Sequence, residues 1–102
     1  MSRREQLEAM LADSPEDVFL RYALAMELEN EDENERSLEL HRGLMAQEPP
    51  YVPSFFMSGQ QLANLERIDE ARQILENGIQ QANLQNNTHA AGEMRQFLES
   101  LD

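Results

Sequence analysis

Two histidines are the first residues to test for chemistry, because imidazole serves near neutral pH as base, proton shuttle and metal ligand. His41 falls within the apolar series of a helix, which fits a partly buried, hydrogen-bonded histidine better than a ligand or a base. His89 and Glu93 stand one helical turn apart and could share a metal, but no further ligand lies nearby in sequence. A protein zinc site normally uses three or four. The pair therefore reads as a solvated first turn. The densest polar cluster is Glu27, Glu29, Glu31, Asp32, Glu33 and Glu35. It lacks the central glycine of a calcium loop. It is expected to be a solvated turn between two helices, with docking of a basic partner segment as the alternative. Gly43, Gly59, Gly78 and Gly92 are scattered through helical segments and form no phosphate loop. The absence of cysteine excludes disulfides, thiolate metal sites and catalytic thiols. With twenty acids in 102 residues, paired carboxylates carry no information about acid–base catalysis. No catalytic, cofactor-binding or metal-binding residue is assigned, no cofactor is expected, and the chain is read as not an enzyme.

The twenty acids oppose eight basic residues, all arginine, for a net charge of −12. Such a field repels phosphate backbones and anionic lipid surfaces, so neither a nucleic acid nor a membrane is expected as partner. It would favour a basic partner, or serve only solubility. No apolar run approaches the length of a bilayer span, and no apolar stretch follows the arginines of the opening Met-Ser-Arg-Arg. A cytoplasmic soluble protein of one domain, residues 1–102, is the expectation.

The elements that must position any site are helices, since apolar residues recur at helical spacing and no stretch alternates like a strand. Leu7, Met10 and Leu11 line a short first helix, and Ser2 with Glu5 has the spacing of a capping box. Ser14-Pro15-Glu16-Asp17 predicts the next start, with Ser14 as cap and Pro15 in the first helical position. That helix is apolar nearly all round, from Phe19 to Leu28, so neighbours are expected on more than one side. A third helix begins near Asn34 and stops before Pro49-Pro50, and a fourth runs from about Val52 to Leu65. A fifth spans Asp69 to Ala82 with Asp69 as its cap, and a sixth Thr88 to Leu101, capped by Asn87 or Thr88.

Residues of like character recur every 34 positions: Pro15 and Pro49, Ala25 and Gly59, Leu28 and Leu62, Ser37 and Ala71. Leu7, His41 and Leu75 form a longer series at this interval, as do Leu11, Met45 and Ile79. A helix pair of this period resembles the tetratricopeptide repeat. In the stronger copy, residues 52–83, Phe55 matches the early aromatic, Gly59 the small crossing residue and Leu62 the apolar residue after it. Ala71, Leu75 and Gly78 match packing positions of the second helix, while Ser58 departs from the usual leucine. In the looser copy, residues 18–49, Arg21 replaces the early aromatic and His41 stands where a large apolar side chain is usual. Residues 1–15 resemble the second half of an earlier repeat, and residues 87–102 a capping helix, since Leu62 maps there to Gln96.

The resemblance implies an all-α, right-handed helical-hairpin repeat, an α-solenoid of about six helices. It also implies a non-enzymatic protein–protein interaction module. In this family the first helices of successive repeats line a concave groove that receives a peptide or partner protein. The corresponding outward positions are Phe19, Tyr22, Met26 and Glu29, then Phe56, Gln60, Ala63 and Asn64. The lysines used by the subfamily that grips a terminal carboxylate are absent here. An adaptor with an unidentified protein or peptide partner leads. A homo-oligomerising structural module, a homodimer among its forms, is the alternative, and an acidic mimic of nucleic acid is the remote third.

Overall fold

A computed structural model describes all 102 residues, and six helices without a strand account for 78% of them. They are α1 (Arg3–Asp13), α2 (Val18–Asn30), α3 (Asn34–Ala46), α4 (Val52–Asn64), α5 (Ile68–Leu84) and α6 (Thr88–Ser100). The chain forms two compact units, Met1–Gln47 with α1 to α3 and Glu48–Asp102 with α4 to α6.

In the first unit α2 is packed between α1 and α3. Leu7 of α1 is buried with Leu24 and Leu28 of α2, and Leu11, Leu20, Ala23 and Leu40 close around them. The capping box forms as expected: the Ser2 hydroxyl accepts from the Glu5 amide, and the Glu5 carboxylate accepts from the Ser2 amide. The α2 start is a correction. Ser14 ends α1, and Pro15 sits second in a turn closed by the Asp17 amide donating to the Ser14 carbonyl. Proline's fixed φ suits that position. Asp17 is the true cap, accepting from the Leu20 amide at 2.9 Å. The expectation of neighbours on more than one side of α2 is met by α1 and α3, although Phe19 is left 75% exposed.

One turn is built three times. Asp32, Glu66 and Asn86 all adopt left-handed backbone with φ near 60°. The residue after each donates its amide to a carbonyl five positions back: Glu33 to Leu28, Arg67 to Leu62, Asn87 to Ala82. The left-handed residue itself donates three positions back, to Glu29, Ala63 and Asn83. These paired bonds form the Schellman helix end. Glu33, Arg67 and Asn87 then open the next helix with carbonyls that accept from Ser37, Ala71 and Ala91. This corrects the α5 start, which lies at Arg67 with no side-chain cap; Asp69 is in the first turn. For α6, Asn87 caps as expected, accepting from the Ala90 amide.

Tight turns bring paired helices close, and the buried small residues permit it. The Ser37 hydroxyl donates to the Ala25 carbonyl of α2 at 2.6 Å. In the second unit a Cβ added at Gly59 would meet the Leu75 side chain at 2.7 Å. One added at Gly78 would meet Phe55 Cβ at 2.5 Å and Met94 Sδ at 2.6 Å. Gly78 thus seats α5 against both α4 and α6. Ser58, the departure from pattern, is buried and returns its hydroxyl to the Ser54 carbonyl.

Candidate functional site

On α2, Tyr22, Met26 and Glu29 follow one another at helical spacing along one stripe, and all three are half-buried. The Tyr22 ring meets His41 of α3 edge to face, with centroids 5.9 Å apart and planes at 70°. His41 is fully buried, and burial pushes its imidazole down to about 4, so it is neutral at pH 7. A neutral, packed ring thus braces Tyr22; that His41 is buried agrees with its place in the apolar series, whereas its contact with Tyr22 is new. Burial also pushes the Glu29 carboxyl above the ordinary carboxylate value.

On α4, Phe56, Gln60 and Ala63 are half-buried and Asn64 is exposed. The Phe56 ring meets Phe97 of α6 edge to face at 6.0 Å and 63°. The two rings, with Glu93, Gln96 and Ser100, line a cleft of about 280 Å³ between α4 and α6. Phe97, Glu93 and Gln96 were not legible as site residues. Phe97 lies 41 positions after Phe56, outside the 34-residue interval, so no repeat signal joins them. Tyr22 and Phe56 are therefore partly accessible and each held by a ring from its own unit, whereas Phe19 is largely exposed.

The acidic cluster is a solvated turn, with Glu31, Asp32, Glu33 and Glu35 all exposed, and part of it is ion-paired. Arg4 pairs with Glu31 at 2.8 Å and with Glu8 at 3.6 Å, Arg3 approaches Glu27 at 3.9 Å, and Arg36 pairs with Glu8 at 3.3 Å. Two acids of the cluster, Glu27 and Glu31, thus meet the N-terminal arginines of α1, while Glu8 links α1 to Arg36 of α3. His89 and Glu93 lie 3.4 Å apart on an exposed surface, and no group of three or more metal-ligating side chains occurs. Arg21, in the place of the early aromatic, donates to the Gln47 side chain at 3.0 Å, and its guanidinium lies over Gly43. A Cβ at Gly43 would sit 3.2 Å from it, a contact that the flexible end of Arg21 could relieve. No helix is long and apolar enough to cross a membrane.

No family model and no curated protein matches the chain. Two solved structures do. A solution NMR structure of a tetratricopeptide repeat domain protein from Salinibacter ruber is similar over 86% of this chain and 89% of its own, with 31% identity and a TM-score of 0.80. The solution structure of a protein from Bordetella parapertussis is similar over 99% of this chain and 88% of its own, with 26% identity and a TM-score of 0.83. With its 34-residue period, its repeated helix turns and its small residues at the helix crossings, this chain belongs to the tetratricopeptide repeat family.

Proposed function

We propose that this protein is a non-catalytic adaptor of the cytoplasm that binds a peptide or partner protein on the outward faces of α2 and α4. Tyr22, Met26 and Glu29 would make contact on the first, and Phe56, Gln60, Ala63 and Asn64 on the second. The observation that carries the reading is the pair Tyr22 and Phe56. Each is a half-exposed aromatic ring, 34 residues from the other, braced edge-on by a ring of the following or terminal helix. Rings held in one orientation lose little entropy on binding and supply large contact area, the property of interface anchors. Met26 beside Tyr22 adds an adaptable apolar contact.

The test joins capture to stability. The double change Tyr22→Ala with Phe56→Ala should abolish capture of partners from the native cell. It should cost less stability than the roughly 3–5 kcal/mol of a core aromatic truncation. A double variant that stays folded and captures every wild-type partner refutes the reading, and so does one that unfolds.

Self-association is the second reading, favoured by one observation: Phe19 stands 75% exposed on α2. Sedimentation at two concentrations decides it, and a monomer weight at both rejects it.

A further inference from the structure

The cleft between α4 and α6 has a chemistry that the adaptor reading leaves undefined. Its walls are the Phe56 and Phe97 rings, with Gln96 and Ser100 beside them, and its one charged lining residue is Glu93. We infer that this cleft receives a single basic side chain, arginine or lysine, from the partner; this rests on the reading of α4 as a partner-binding face.

Three observations carry it. The rings meet edge to face, at 63°, so ring faces remain unstacked, and an aromatic face is the electron-rich side that attracts a cation. Both rings are half-buried, which partly desolvates an incoming charge while leaving it a way in. Glu93 is half exposed, and its charged neighbour is His89 rather than an arginine. A carboxylate is thus available beside the two rings. The surrounding field agrees. Residues 48–102 hold eight acids against three arginines, and the whole chain carries −12, so an acidic partner would be repelled from this cleft. At about 280 Å³ the space suits one long side chain and not a helix. The long apolar stem of arginine or lysine would lie along the phenyl rings while its head reaches Glu93.

The probes are three peptides, acetyl-Leu-Ala-X-Ala-Leu-amide, with X as arginine, its neutral isostere citrulline, or leucine. They are titrated into isotope-labelled full chain and followed by NMR at Phe56, Phe97 and Glu93. The arginine peptide should shift all three residues and bind about tenfold more tightly than the citrulline peptide, with the preference fading in salt. Glu93→Gln should remove most of that preference without moving the melting temperature, because Glu93 is exposed. Equal binding of the arginine and citrulline peptides at the cleft overturns the inference and leaves α4 standing as an apolar contact face. Arginine-peptide shifts confined to the acidic cluster Glu27–Glu35 also overturn it. So does the absence of any shift at the cleft; if Phe56→Ala nevertheless abolishes partner capture, the reading of α4 survives that failure.

Discussion

Replacing Gly78 with alanine should destabilise the protein even though alanine is the better helix former. Propensity alone favours the change by about 1 kcal/mol. Against it stands the geometry: the new Cβ would lie 2.5 Å from Phe55 Cβ and 2.6 Å from Met94 Sδ. Non-bonded carbons rest at about 3.5–4.0 Å, so the helices must part by roughly an ångström. Neither neighbour yields easily, since Phe55 Cβ is fixed to the α4 backbone and Met94 is fully buried. Overpacking a tight core costs about 1–3 kcal/mol, and a rigid obstacle places this site at the upper end. The net loss is then about 1–2 kcal/mol. Gly92 supplies the control, because it lies on an exposed face of α6 with nothing within 4 Å of an added methyl. Gly92→Ala should therefore gain about 0.5–1 kcal/mol from propensity alone. Urea melts of the two variants, compared at equal slope, should separate them by about 2 kcal/mol. Because Gly78 seats α5 against α4 and α6, its variant should also disturb the Phe56 and Phe97 ring resonances. Two variants that melt within about 0.5 kcal/mol of each other would refute the close approach.

Three further outcomes follow from single residues. The His41 imidazole is pushed down to about 4, against about 6.5 in an unfolded chain, so acid protonates the unfolded state first. Its contribution is intact above pH 6.5 and is lost as pH falls towards 4, on the order of 3 kcal/mol in all. His41→Leu, which installs the residue found at Leu75 in the next repeat, should remove that slope. Subtracting the variant's profile cancels Glu5, whose carboxyl is lowered by its bonds to Ser2, and Glu29, whose carboxyl is raised by burial. A wild-type profile parallel to that of the variant contradicts the assignment. Glu66→Gly should stabilise by about 0.5–1 kcal/mol in a thermal melt, because glycine accepts φ of 62° without steric cost; a loss would show that the turn is held differently. Asp17→Ala should cost about 1 kcal/mol by removing the bond to the Leu20 amide, whereas Ser14→Ala should cost little.

The repeat was legible because helices that cross closely demand small residues at fixed intervals. Ala25 with Gly59 and Ser37 with Ala71 satisfy that demand in plain sight. The helix starts were not. Serine before proline at Ser14-Pro15 and the acid Asp69 both carry start signals, yet the observed starts follow from where the previous chain segment turns. The decisive left-handed residues, Asp32, Glu66 and Asn86, include no glycine to announce them. The outward positions of α2 and α4 could be chosen from the period, but what braces their rings could not. Tyr22 rests on His41, which the sequence placed only in an apolar series, and Phe56 rests on Phe97, from a helix outside the 34-residue interval. The Glu93 cleft was hidden for the same reason.

The most direct test of partner binding on these two faces is an NMR footprint of the isotope-labelled protein in its purified complex with a captured partner. Side-chain signals of Tyr22, Met26, Phe56 and Gln60 should shift or broaden, while those of exposed residues elsewhere, such as Met10 on α1 and Leu84 on α5, stay in place. A footprint confined to Met10, Phe19 or Leu84, with Tyr22 and Phe56 unmoved, would contradict the account.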